Sequence, residues 1–184
     1  MAGHALNGAA GARRRGKERE TGMNHDRGAA RATRILFVCH GNICRSPMAE
    51  FVMKKLVGEA GLSDAFEIDS AATSWEELGC PVYPPARREL AAHGIGCAGK
   101  TARRLEPSDY ARYDWLVGME DVNLRNMRRI CGGDPQDKMR LLMDFAGGGE
   151  IEDPWYSGRF AAVYRQIETG CRAMLDSLDR KSVV

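Results

Sequence analysis

Ile35-Leu36-Phe37-Val38-Cys39-His40-Gly41-Asn42-Ile43-Cys44-Arg45-Ser46-Pro47 carries the information that decides the fold of this 184-residue chain. Its first four residues are a short unbroken apolar run, as expected of a strand buried on both faces of a parallel sheet. Pro47 marks a helix start, where a missing N–H does no harm. Met48, Phe51, Val52 and Leu56 then recur at helical spacing, and Gly58 or Gly61 can end the helix. A loop held between a strand and a helix can curl so that successive backbone N–H groups point inward and cradle an anion. The helix N-terminus adds partial positive charge. Gly41 is expected to permit the backbone angles that the curl demands, and Arg45 supplies a planar fork for two oxygens of a phosphate.

Further along the chain the pattern alternates. Residues 66–71 read as a second strand, and Pro84-Pro85 opens a helix that Gly94 closes. Asp109–Tyr113 reads as a helical turn leading into a strand at Asp114–Met119. Glu120–Ile130 is a helix with acids at its start and arginines at its end, as the helix dipole favours. Gly132-Gly133-Asp134-Pro135 is a loop, and Lys138–Met143 a last strand. Phe160, Val163, Tyr164, Ile167, Cys171, Met174, Leu175 and Leu178 form one apolar helical stripe. Alternating strands and helices imply an α/β layer structure with a parallel sheet. Right-handed crossovers bring the strand ends to one edge, where ligands bind.

Length fits one domain. Residues 1–34 hold eight Lys/Arg against three acids, leaving the remainder with 19 basic and 22 acidic residues. The basic surplus is therefore expected in an extension, residues 1–32, rich in Gly, Ala and Arg and without apolar periodicity. Such a leader fits a solvated tail, with Met23 as an alternative start, better than a transit peptide or a nucleic-acid arm. The mildly acidic body argues against nucleic acid as partner. No apolar run is long enough to cross a membrane, and six cysteines without a secretory signal point to reduced thiols in the cytoplasm.

Cys39, at the mouth of the cradle, feels its positive potential. A free thiol has a pKa of about 8.5, and helix N-termini and cations lower it to about 3.5–7.5, so a nucleophilic thiolate is expected. Ser46 can donate a hydrogen bond to it.

Cys39–Arg45 matches the Cys-x5-Arg phosphate loop of cysteine-based phosphatases. With Cys44 and the trailing Arg45-Ser46-Pro47, the string resembles that of the low-molecular-weight protein tyrosine phosphatases, and the resemblance runs from Arg34 to Asp179. It implies a three-layer sandwich, with a four-stranded parallel sheet, helices on both faces and the phosphate-binding loop after the first strand, in a domain spanning 33–184. It also implies hydrolysis of phosphotyrosine, an aryl phosphate monoester on a protein substrate, through a phosphocysteine on Cys39. His40, Gly41, Asn42, Ile43 and Cys44 complete the loop around the phosphate. The near-C-terminal Asp153-Pro154-Trp155-Tyr156 resembles the family's Asp-Pro-aromatic element. It makes Asp153 the general acid and then the base, a role worth about 10²–10⁴-fold, with Trp155 and Tyr156 walling the pocket. Tyr is more usual in the family where Trp155 stands. Asn42, Ser70 and His93 are expected to form the hydrogen-bond network that holds the loop in shape. Cys44 is expected to guard Cys39 through a reversible disulfide.

No metal or other cofactor is expected, since the cradle supplies the positive field itself, and the enzyme is expected to act as a monomer or weak homodimer. Three rivals follow from the same residues. An arsenate reductase needs a thiol relay that Cys80 and Cys97 are badly spaced to provide. A protein arginine phosphatase tends to carry Thr where Ile43 stands. A non-catalytic phosphoprotein binder would have lost Cys39, Arg45 or Asp153.

Overall fold

In the computed structural model the described residues are 31–182, so the extension expected over 1–32 lies outside them up to residue 30. Arg31, expected within that extension, pairs with Asp114 at 2.5 Å.

Strand β1 (Thr33–Cys39) lies inside a four-stranded sheet with β2 (Phe66–Ala72), β3 (Trp115–Gly118) and β4 (Met139–Leu141). The order is β2-β1-β3-β4 and every pair is parallel. Ile35, Leu36, Phe37 and Val38 are all fully buried. Ile35 and Phe37 join the core beneath α1 (Arg45–Glu59), α2 (Pro84–Ala92) and the long α6 (Phe160–Ser182). Leu36 and Val38 face the other way, with Tyr113 after α3 (Asp109–Arg112) and Met127 of α4 (Asp121–Cys131). A strand with a core on each side has no solvent face, which is why its sequence is an apolar run without alternation. Each such side chain contributes about 1.5–3 kcal/mol by leaving water. The three-layer reading is thus the observed one, with helices on both faces of the sheet.

The last strand is shorter than expected. Residues 142–146 leave the sheet as a 3-10 turn, which Gly147 ends with a left-handed φ of 103°. The Asp144 carboxylate accepts a hydrogen bond from Leu141 N at 2.9 Å and so turns the chain. Helix α6 passes directly over this turn at Gly170. A Cβ there would lie 2.6 Å from Leu142 Cγ and 3.2 Å from its carbonyl oxygen, so the close approach requires glycine.

The order places β2 on one side of β1 and β3 on the other. The chain leaves β1 toward β2 on one side and leaves the adjacent β3 toward β4 on the other, which opens a crevice at the carboxyl ends of these two strands. Backbone bonds bring the next segments to that edge. Thr73 N donates to Cys39 O at 2.9 Å, Ser74 N to His40 O at 3.0 Å, and Ile151 N to Met119 O at 2.8 Å. The loop after β1, the segment after β2, the end of β3 and the approach to Asp153 meet there.

Candidate active site

Cys39–Arg45 runs from the last residue of β1 to the first of α1, so the helix starts two residues before Pro47. The one residue of the loop in the left-handed region is Asn42, at φ 57°, a conformation asparagine tolerates better than most side chains. Gly41 does not have the left-handed backbone that its glycine suggests. Its small size matters instead, since a Cβ there would sit 3.1 Å from Glu77 Cγ.

Asn42 holds its backbone angle with every polar atom of its side chain. Its Nδ2 donates to Ser46 Oγ and to Ser70 Oγ, both at 2.8 Å, and its Oδ1 accepts from Arg103 N at 3.1 Å. Ser70 in turn donates to Glu50 at 2.6 Å, and Lys100 meets Glu50 at 2.7 Å and Asp69 at 2.8 Å. Asn42, Ser46, Glu50 and Ser70 are all buried. Burial pushes the Asp69 carboxyl up, but the Lys100 contact, Ser70 N–H and Arg103 outweigh it and hold its pKa at about 2. His93 stands outside this network. Its ring meets Glu89 at 3.2 Å and stacks on Tyr164 at 3.7 Å between centroids. The position expected for a histidine beside Ser70 and the loop is filled by the Glu50–Lys100 pair.

Cys39 Sγ lies 3.0 Å from Ser46 Oγ and accepts from Asn42 N at 3.3 Å. Ser46 Oγ already accepts from Asn42 Nδ2, so its single proton is shared between the sulfur at 3.0 Å and the more distant Ala71 carbonyl at 3.5 Å. The sulfur thus sits among donors, as a thiolate requires. It lies in a pocket of about 160 Å³ that is also lined by His40, Gly41, Ile43, Cys44, Arg45, Asp153, Trp155 and Tyr156, whereas the Asn42 and Ser46 side chains, also expected at the phosphate, are buried behind the loop and do not line it. Glu76 and Glu77, from the segment after β2, complete the rim. Trp155 is half exposed and leans on Tyr83, with centroids 4.8 Å apart, while Tyr156 stands almost free at 87% exposure.

Arg45 is 1% exposed and divides its guanidinium between two tasks. One nitrogen donates to Glu120 at 2.6 Å and to the Ile151 carbonyl at 3.1 Å, and the other to Asp153 at 2.5 Å. Burial works against its charge, but Cys39, Asp153 and Glu120 together raise its pKa. Asp153 also caps the short helix α5 (Pro154–Ser157), accepting from Trp155 N at 3.0 Å. Proline after Asp153 suits that first turn and fixes the carboxylate at the pocket rim. Burial, with the charges of Cys39 and Asp153, pushes the Cys44 thiol up. All six cysteines are free thiols.

The sequence missed Glu120, Glu50 and Lys100. Glu120 read as a helix-start acid, and its one distinguishing signal was its place just beyond the carboxyl end of a predicted strand. No group of three or more His, Cys, Asp or Glu among the described residues is arranged to hold a metal ion, and no described helix is long and apolar enough to cross a membrane.

The family model described as low molecular weight phosphotyrosine protein phosphatase matches residues 34–184. A pig protein of that name is 40% identical over 152 residues, covering 78% of this chain and 94% of its own. The crystal structure of a Bacillus subtilis protein, itself named a low molecular weight protein-tyrosine-phosphatase, superposes with a TM-score of 0.80 at 31% identity, covering 84% of this chain and 99% of that one. A Drosophila arginine phosphatase structure superposes with a TM-score of 0.71 at 29% identity, covering 78% and 96%.

Proposed function

The chain belongs to the low molecular weight phosphotyrosine protein phosphatase family, and on that premise we propose how its own residues hydrolyse a phosphotyrosine monoester. The observation that carries the reading is a sulfur surrounded by donors, in one pocket with a buried arginine and the carboxylate that arginine holds. Residues 33–184 form the phosphatase domain, and its substrate is a protein carrying phosphotyrosine.

The Cys39 thiolate attacks phosphorus in line with the aryl oxygen. The S–P bond forms, the P–O(aryl) bond breaks, and the Asp153 carboxyl gives its proton to the leaving phenolate. Arg45 and the backbone N–H groups of residues 40–45 hold the equatorial oxygens as their charge shifts. Water, losing a proton to Asp153, then attacks the phosphocysteine. The S–P electron pair returns to sulfur, where the Ser46 hydroxyl and Asn42 N–H receive it. Ile43, 7% exposed on the pocket wall, together with Trp155 and Tyr156, provides apolar surface for a phenyl ring, which supports an aryl ester over phosphoarginine. The six free thiols support a cytoplasmic setting, and we take the enzyme to work as a monomer or weak homodimer.

Asp153→Ala is expected to slow hydrolysis of phenyl phosphate about 10²-fold, and that of p-nitrophenyl phosphate much less, since nitrophenolate leaves without a proton. Equal losses on the two substrates would remove Asp153 from the role of proton donor. Turnover by the wild type is expected to be unchanged by an excess of a metal chelator, because the loop and Arg45 supply the positive field. Strong inhibition by the chelator would reverse that point.

A further inference from the structure

Beside the catalytic pocket lies a second, larger groove of about 670 Å³, and the two share the His40 and Glu76 side chains as a common wall. Those two are hydrogen-bonded at 3.0 Å, so the acid of the wall is already engaged. The far side is basic. Arg104 and Arg129 line the groove, and neither has a carboxylate within ion-pairing distance among the described residues. Arg34, Arg103, Arg112 and Arg140 are ion-paired, whereas other surface arginines such as Arg87 and Arg125 are not, so what sets Arg104 and Arg129 apart is that both line one groove.

Two polar groups in the groove wall also lack partners. Thr73 is only 6% exposed, yet its Oγ1 has none. The Nε of Arg104 is likewise buried without an acceptor, while its guanidinium lies 4.2 Å from the centre of the Trp75 ring. A buried hydroxyl and a buried N–H without partners are costly unless something enters to meet them. Trp75, 65% exposed, gives the groove an apolar flank on which a polypeptide can lie.

We propose that this groove receives an aspartate or glutamate side chain of the substrate protein, next to the phosphotyrosine seated on Cys39, and so selects phosphotyrosines with acidic neighbours. The proposal rests on the catalytic reading above and names the class of sequence that reading leaves open. Two guanidiniums without ion pairs, of which Arg129 donates to Asn126 Oδ1 at 3.3 Å, and an unpartnered hydroxyl offer donors only, or a donor that can also accept, which suits a carboxylate. Glu77 lines the catalytic pocket and not the groove, and Glu76, the acid that does line the groove, is hydrogen-bonded to His40 on the wall away from Arg104 and Arg129. The shared wall places the groove one or a few residues away from the phosphotyrosine along an extended chain.

The test compares two phosphotyrosine peptides that are identical except for glutamate or glutamine on both sides of the phosphotyrosine. Hydrolysis of p-nitrophenyl phosphate, which ends before the groove, is followed in parallel. The glutamate peptide is expected to show about three- to fivefold higher kcat/KM at low ionic strength, the size of one or two exposed charge contacts. That preference is expected to shrink as salt screens it. Arg129→Glu, on the exposed face of α4, is expected to abolish or invert the preference while nitrophenyl phosphate turnover stays within about twofold of wild type. Arg104→Gln serves as the second variant. Equal kcat/KM for the two peptides in the wild type, or a preference that survives both substitutions, would overturn the groove proposal. Failure of the wild type to hydrolyse nitrophenyl phosphate would instead strike the catalytic reading.

Discussion

Cys39→Ser is expected to lose aryl phosphate turnover by roughly 10⁵–10⁶-fold, the scale seen when a covalent nucleophile is removed. The reason lies in what surrounds the sulfur. Asn42 N–H and the Ser46 hydroxyl are donors, suited to an anion that is already formed. Neither can take a proton from a serine hydroxyl, which must be deprotonated before it attacks. Asp153, the carboxylate of the pocket, is committed to Arg45 and must deliver a proton to the leaving group. The variant is nonetheless expected to bind phosphate, since Arg45 and the loop amides are untouched. Steady-state kinetics together with calorimetric titration of a phosphotyrosine peptide separate the two effects. Residual turnover above about 1% of wild type would move the nucleophile elsewhere, with Cys44, in the same pocket, the next to test. Loss of both binding and turnover would mean that the sulfur shapes the loop, and would leave its chemistry undetermined.

What could be read in the sequence was what travels as a contiguous string or a fixed period. The run Ile35–Val38 declared a doubly buried strand because each successive residue faces an opposite core. The stripe from Phe160 to Leu178 declared α6 because one helical face packs along its whole length. Asp153 was legible because the Asp-Pro-Trp-Tyr string is local: the proline and the cap that orient the carboxylate are its immediate neighbours. The network behind the loop was only half legible. Asn42 and Ser70 stand where the sequence placed them, but their supports come from two other segments, Glu50 from α1 and Lys100 and Arg103 from the loop between α2 and α3. Nothing in the spacing from Ser70 to His93 or to Lys100 distinguishes which side chain turns toward Glu50. His93 is drawn instead to Tyr164 on α6, a contact made only when the last helix docks. Gly41 and Asn42 illustrate a second limit. Composition locates a special backbone to within a residue or two, but whether glycine is there for its φ or for space beside Glu77 depends on the segment after β2.

Arg45→Lys is expected to lower kcat/KM for phosphotyrosine about 10³-fold, more than any change outside Cys39, despite conserving charge. Arg45 is buried and its two terminal nitrogens do different work. The one held by Glu120 and the Ile151 carbonyl anchors the fork, and the other, now on Asp153, is free to exchange. An arriving phosphate dianion competes for that second nitrogen and displaces Asp153, which, freed of the guanidinium, takes a proton from solvent and delivers it to the leaving oxygen. Binding and the readiness of the acid are therefore coupled through a single planar group. A lysine ammonium is one point of charge. Seated between Glu120 and Ile151 it cannot also reach the phosphate, and turned toward the phosphate it leaves Glu120 unpaired at 27% side-chain exposure. Both kcat and the affinity for inorganic phosphate as competitive inhibitor are expected to fall, while the melting temperature of the phosphate-free enzyme moves little because the ammonium then stays beside Glu120. A variant with kcat/KM within about tenfold of wild type would show that the loop amides alone hold the transferring phosphoryl group. In that case the contact between Arg45 and Asp153 would be structural, and the coupling between substrate binding and the acid would have no carrier.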